Sequence, residues 1–396
     1  MPENKQFTKN GSKVTELEAI EILKSLIAIS TVDPPGNEME AAVAVEKILK
    51  EENINSQIYD LGSGRANLVA RLKGTGDRPS LVFSAHFDTI PVDESQWTMP
   101  PFGGVIRDGK LYGRGATDMK SGLASMICAA IELRRKGVKL AGDLILAFSA
   151  AENSSGMGAI ELTRCGELNS AGAMVISEPT SLKVFIAEKG ALWLKAKAKG
   201  ASGHAAFVAD WRSDYGNAIV RMAKFIAQLE KLDLNFPHHP HLDHPTVNVG
   251  KISGGISAPI IPSSCTIDLD VRMVPGMEPD FVLKKIQDLA GKYIEIETVD
   301  YKPPVETEAE DPFVQLCIKA CESVVGKKAE VTGVPYYSDA TVFAPALQIP
   351  IVIIGPGEVG HSGIADEYVK ISNLIKTNNI FSLIALKYLT LDPSRN

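Results

Sequence analysis

Several side chains able to hold a metal ion or move a proton stand just past short apolar runs in this sequence. His86 closes Leu81-Val82-Phe83-Ser84-Ala85, Glu152 follows the run Leu144 to Phe148, and Glu178 follows Met174-Val175-Ile176-Ser177. Asp118 lies in a glycine-rich stretch, Gly113-Arg114-Gly115-Ala116-Thr117-Asp118-Met119-Lys120, immediately before a helical pattern. Imidazole nitrogen and carboxylate oxygen suit a divalent ion such as zinc, and a carboxylate left outside the ligand set can serve as a general base. Asp88 is two residues past His86, so on an extended backbone both side chains point one way, and a carboxylate there can fix the imidazole tautomer. The chemistry so suggested is metal-assisted hydrolysis.

For these residues to meet, the runs that precede them must be strands of one sheet. Apolar residues recur at helical spacing from Val14 to Ile29, and a turn cluster, Asp33-Pro34-Pro35-Gly36-Asn37, ends that segment. A second helix is expected from Glu38 to Glu52. Short apolar runs at Ser80 to Ala85, Asp143 to Ser149 and Ala173 to Ser177, with a helix pattern from Ser121 to Lys136, predict an α/β domain with a mostly parallel sheet. Ligands bind beyond the carboxyl ends of strands in such sheets, where His86, Glu152 and Glu178 fall.

The pattern changes after Gly190. Strands at Ala191 to Ala198, Thr246 to Ile252, Cys265 to Val271 and Ile294 to Val299 alternate with helices at Asn217 to Leu232 and Pro279 to Tyr293. This βαββαβ order predicts a ferredoxin-like α+β unit with its helices on one face. Lys302-Pro303-Pro304 closes it, and strand and helix alternation then resumes through Ile351 to Ile354. The expected organisation is a domain of residues 1–190 and 303–396 carrying an insertion of residues 191–302.

Composition removes several function classes. A hydrophobic share of 45% and a charged share of 22% are those of an ordinary globular protein. With 41 Lys+Arg against 48 Asp+Glu the net charge is -7, the wrong sign for binding a phosphate backbone, so no nucleic-acid partner is expected. No apolar run reaches the ~18 residues of a membrane helix, and the polar start Met1-Pro2-Glu3-Asn4-Lys5-Gln6 lacks a secretory core, which predicts a cytoplasmic protein with no membrane partner. The 5 cysteines are scattered and odd in number, so reduced thiols are expected; Cys317 and Cys321 read as small core residues.

The stretches SAHFDTIPV, WTMPPFGGVIRDGKLYGRGATDMKSGLAS, AENSSGMGA, SEPT, GASGHAA, DLDVRMVPG, YYSDATVF and GPGEVGHSGIADEYV run in order through most of the chain. They resemble the zinc-dependent metallopeptidase family that contains acetylornithine deacetylase, succinyl-diaminopimelate desuccinylase, aminoacylase and glutamate carboxypeptidase. The resemblance implies a zinc-peptidase-like catalytic domain with an inserted lid and dimerisation domain. It implies that His86 and Glu178 bind one zinc, that Asp118 bridges to a second held by His361, and that Asp88 orients His86. Glu152 would be the general base for a metal-activated water, and the Asp118-Met119 peptide would be cis. By the same resemblance His204 reaches a partner subunit's site and steadies the oxyanion, which implies a homodimer, and Arg272 clamps a substrate carboxylate.

The family pattern breaks at one ligand. Two adjacent acidic residues are usual where this chain has Glu152-Asn153, and Gly158-Ala159 fixes the register, so Asn153 replaces a ligand of the second metal. Its carbonyl oxygen is neutral, and the second site is expected to hold its ion weakly or not at all. Pro259 likewise stands where an Asn is common. Gly355-Pro356-Gly357-Glu358-Val359-Gly360 has the spacing of a dinucleotide loop, but His361-Ser362-Gly363 follows instead of a helix, so the glycines are expected to shape the turn that delivers His361.

The expected activity is hydrolysis of an amide bond in an N-acyl amino acid, of deacetylase or desuccinylase type, using one or two zinc ions, with cobalt or manganese as substitutes. A carboxypeptidase or dipeptidase acting on a short peptide is the alternative within the family. A binding protein that kept the fold and lost catalysis is the alternative outside it.

Overall fold

The computed structural model describes residues 12–207 and 216–391. The polar start read above as lacking a secretory core lies outside the described residues. Two compact units are found: Met1–Ile186 with Thr307–Val331 and Ser338–Asn396, and Ala187–Glu306 with Thr332–Tyr337. The short segment Thr332–Tyr337 therefore clusters with the inserted unit, whereas the sequence pattern assigns it to the outer one.

The first unit is organised around a sheet whose strands include β1 (Asn55–Gly62), β2 (Arg65–Leu72), β3 (Ser80–His86), β4 (Leu144–Ser149), β5 (Ala171–Ile176), β6 (Val184–Glu188) and, late in the chain, a strand at Ile351–Ile353. In space the order is β1-β2-β4-β3-β5, then Ile351–Ile353, then β6. β4, β3, β5 and Ile351–Ile353 are mutually parallel, while β1, β2 and β6 add antiparallel edges. This is the α/β class with a mostly parallel core that the sequence predicts. All seven residues of β3 and all six of β4 are buried, as expected for strands covered on both faces, and each large apolar side chain so buried contributes roughly 1.5–3 kcal/mol.

Helices α1 (Glu16–Ile27), α2 (Glu38–Glu51), α3 (Lys120–Arg135) and α4 (Met157–Arg164) precede the insertion. α3 is buried along nearly its whole length and packs on α1 and on the C-terminal helix Ile371–Leu389. Gly122 in its first turn comes so near the end of β5 that a Cβ there would lie 2.0 Å from the Ser177 hydroxyl oxygen. That close approach is what glycine permits, and it draws the turn bearing Asp118 toward the turn bearing Glu178.

The second unit holds β7 (Gly190–Lys199), β8 (Thr246–Gly254), β9 (Ser264–Met273) and β10 (Ile294–Lys302), in the antiparallel order β8-β9-β7-β10. α5 (Ala218–Leu229) and α6 (Pro279–Ala290) complete the βαββαβ sequence. Strict alternation along β9 buries Cys265, Ile267, Leu269, Val271 and Met273 in a core shared with Met222 and Phe225 of α5 and Val282 and Ile286 of α6.

Candidate functional site

Because β4, β3 and β5 are parallel neighbours, their carboxyl ends lie on one edge of the sheet. His86 is the last residue of β3 and pairs with Ser149 of β4, three residues before Glu152; Ser84 pairs with Ile176 of β5, two before Glu178. His86 is 2% exposed, Glu178 3% and Glu152 9%. Burying three ionisable groups together is costly unless a counter-charge or hydrogen bonds satisfy them.

The His86 ring is oriented by its own loop. Nδ1 stands 2.9 Å from the main-chain oxygen of Asp88, which fixes the proton on Nδ1 and turns the Nε2 lone pair outward. Nε2 faces Asp118 Oδ1 at 3.1 Å, Glu178 Oε1 at 3.8 Å and Glu152 Oε2 at 3.9 Å. Set against three carboxylates, Nε2 is where positive charge is stabilised, whether a proton on the ring or a cation held among the carboxylates. His86, Asp118 and Glu178 offer ligand atoms that all lie within 4.8 Å of one another, a set that fits a zinc-like ion with Glu152 beside it.

The electrostatics agree with that geometry. Burial alone would keep His86 neutral, but the hydrogen bond to Asp118 and the charges of Asp88, Glu152 and Glu178 raise its pKa well above the ordinary histidine value. Burial also opposes charge on Asp118, yet bonds with His86, Ser362 and Glu178 hold its carboxyl below the usual range. For Glu152 burial dominates and pushes the carboxyl well up; Asp339, Asp88 and Asp118 add to the rise, and His86 opposes it. A carboxylate poised to accept a proton results.

Asp88 behaves differently from the expectation. It holds His86 through its main-chain carbonyl, while its carboxylate Oδ1 stands farther off, 3.6 Å from Nδ1. The carboxylate instead accepts from the Glu152 amide at 3.1 Å, from the Asn153 amide at 2.9 Å and from Asn153 Nδ2 at 2.9 Å. Asp88 thus holds the Glu152 and Asn153 backbone as well as the histidine.

The second ligand set does not assemble. Asn153 is turned to Asp88 because its amide hydrogens find a buried carboxylate there, an option closed to an acidic side chain. The free oxygen of Asp118, the expected bridge, accepts a short hydrogen bond from the Ser362 hydroxyl. His361 Nε2 stands 3.4 Å from the Tyr368 hydroxyl, its ring packs edge-on against Tyr368, and Nδ1 is buried without a hydrogen-bond partner. Among the described residues, no cluster of three potential ligands includes His361. Asn153 and His361, expected on the second metal, are thus engaged with Asp88 and Tyr368, and the neutral amide of Asn153 brings no negative charge to offset a second ion.

Several supporting residues escaped the sequence reading. Glu367, 1% exposed, accepts from the amides of Thr117 at 2.8 Å and Asp118 at 3.1 Å and pairs with Arg114. Burial pushes its carboxyl up to about 7, Arg114 opposing. Asp339 accepts from the Ser149 hydroxyl, and burial raises it to about 6. The Asp118-Met119 peptide is cis. His204 and Arg272 belong to the second unit: His204 is exposed and accepts from the Ala206 amide at 3.2 Å, and Arg272 pairs with Asp270 at 2.9 Å and lies over the Tyr337 ring.

Residues 82–387 match the model for Peptidase family M20/M25/M40. A probable succinyl-diaminopimelate desuccinylase of Staphylococcus epidermidis is 26% identical over 406 residues, spanning 95% of this chain and 99% of the relative. Among solved structures, aminopeptidase PepT from Bacillus cereus superposes with a TM-score of 0.78 at 21% identity, covering 96% of this chain and 100% of that one. The Bacillus subtilis YXEP protein, described as a dinuclear metal-binding peptidase of the M20 family, superposes with a TM-score of 0.73 at 18% identity over 94% of this chain and 98% of its own.

Proposed function

The chain belongs to peptidase family M20/M25/M40, a family of metal-dependent peptidases and amidohydrolases, and on that premise we propose that it hydrolyses the amide bond of an N-acyl amino acid, of the desuccinylase or deacetylase type. The observation that carries the reading is Glu152, 91% buried by its 9% exposure and held with Oε2 3.9 Å from His86 Nε2 beside a three-ligand cluster. The desuccinylase relative, matched over nearly its full length, supports the acyl amino acid as substrate class.

His86 Nε2, Asp118 and Glu178 are the residues to hold zinc. When bound, such an ion lowers the pKa of water and polarises the scissile carbonyl. Glu152 Oε2 removes a proton from the attacking water, whose oxygen bonds to the acyl carbon. As the carbon–nitrogen bond breaks, Glu152 returns that proton to the departing amine. Asp88 keeps the Glu152 main chain fixed during both transfers, and Glu367 does the same for Asp118.

One tightly held ion per chain suffices in this reading, since Asn153 is neutral and bonded to Asp88 and His361 packs on Tyr368. Arg272 is proposed as the clamp on the substrate carboxylate, a role that requires it to share its guanidinium with Asp270. His204 is proposed to act from a partner subunit, with the inserted unit as lid and dimerisation domain. The edge position of β8 and the exposed side chains of Ile252 and Ile256 support a homodimer formed through that unit. No described helix is long and apolar enough to cross a membrane, in keeping with the cytoplasmic location proposed.

The test is a hydrolysis screen of N-succinyl and N-acetyl amino acids and dipeptides with zinc, cobalt and manganese, run on the parent and on Glu152→Gln. Turnover of an acyl amino acid that Glu152→Gln lowers by ~10²–10⁴ is expected. Preferential dipeptide cleavage would favour the peptidase alternative, and absence of turnover throughout would favour a binding protein.

A further inference from the structure

We propose that a cavity of about 440 Å³ in the first unit, lined by none of the clustered metal-ligand candidates, binds a small organic phosphate. Five lysines line it, Lys183, Lys327, Lys328, Lys370 and Lys376, against two glutamates, Glu330 and Glu358. Each glutamate already has a partner: Lys183 lies 2.7 Å from Glu330, and Lys370 lies 3.0 Å from Glu358. Lys327, Lys328 and Lys376 form no ion pair among the described residues, so three cations face one concave space in a chain whose net charge is -7.

Like charges lining one concavity give it a positive local field, so a multiply charged anion is the occupant that they attract most. Lysine acts as a point charge on phosphate oxygens without requiring a planar partner. The volume is within the range of small-molecule sites and exceeds what inorganic phosphate alone needs. Leu182 and Val325 add apolar wall, which suits a carbon skeleton attached to the phosphate.

The cavity also backs onto the loops that carry two of the expected metal ligands. Ser181, three residues beyond Glu178, donates its amide to Gly357 O at 2.7 Å and accepts from the Val359 amide at 2.9 Å, and Leu182 donates to Gly355 O at 3.1 Å. Glu358, on the turn that leads to His361, is itself a lining residue. An anion competing with Glu358 for Lys370 therefore acts on that turn.

Isothermal titration of the full-length, metal-loaded protein with fructose 1,6-bisphosphate as probe tests the proposal, with fructose and citrate as controls at matched ionic strength. The bisphosphate is expected to bind, fructose to give no heat, and citrate to bind more weakly. The triple variant Lys327→Gln, Lys328→Gln, Lys376→Gln, altered in lysines without an ion pair, is expected to lose at least ~10-fold in affinity, and Glu330→Gln, which frees Lys183, is expected to tighten binding. Equal affinity in parent and triple variant, no binding by the parent, or citrate binding more tightly than the bisphosphate overturns it.

Discussion

The two halves of the candidate metal centre share Asp118 yet are built differently. On one side His86, Glu178 and Asp118 Oδ1 converge, each from the end of a buried strand or the start of a buried helix. On the other side Asn153 turns to Asp88, Ser362 occupies the second oxygen of Asp118, and His361 packs on Tyr368. The presence of an amide rather than an acid at residue 153 accounts for one part of the contrast. The carboxamide of Asn153 can donate to Asp88, and once it does so its ligand position is vacated; an acid there would be repelled by Asp88 and pushed toward a cation.

The largest expected effect comes from destroying the intact half. His86→Ala should release the tightly bound ion and reduce hydrolysis to background, read by metal content after dialysis and by turnover. Full retention of metal would mean that the cluster is assigned to the wrong half. Glu152→Gln should keep the metal while lowering kcat by ~10²–10⁴, and a loss of metal instead would make Glu152 a ligand rather than the base. Glu367→Gln removes the charged acceptor of the Asp118 and Thr117 amides, and a fall of ~10–100-fold in metal affinity or activity is expected, as for other groups that orient ligands. An unchanged enzyme would leave Asp118 held by its hydrogen bonds to His86 and Ser362 alone.

Smaller effects probe the incomplete half. Asn153→Asp should raise the metal content retained after dialysis from about one ion per chain toward two, because it restores a charged ligand. Two tightly held ions in the parent would break the comparison at once. Ser362→Ala should change activity by less than ~3-fold, since the bond that it removes is to Asp118 Oδ2 and not to the Oδ1 that faces His86; a larger loss would show that the hydroxyl contributes to the reaction.

Much of this was legible in the sequence because buried parallel strands are short, continuous apolar runs. β3, β4 and β5 were bounded to within a residue or two of their observed ends, and with them the placement of His86, Glu152 and Glu178 at one edge. β1 and β2 were not recognised. β1, Asn55–Gly62, alternates between exposed and half-buried positions, so its sequence carries little apolar signal, and its pairing to β2 is an antiparallel addition that strand and helix alternation does not predict. Asp339, Glu367 and Ser362 lie within the stretches YYSDATVF and GPGEVGHSGIADEYV, but no spacing rule tells which atom a buried acid or hydroxyl will face. The orientation of Asn153 lay beyond reach for the same reason: it depends on the position of Asp88, sixty-five residues earlier.

The parallel adjacency of β4, β3 and β5 also divides the site by how readily it opens. Amides in strands hydrogen-bonded on both sides exchange with solvent only when the unit unfolds as a whole, whereas turns exchange through local opening. The half proposed to hold the ion is anchored where protection should be greatest. His361 rides on a turn, so deuterium uptake there should run far ahead of β3, and the two halves of one small site would report on two different free energies.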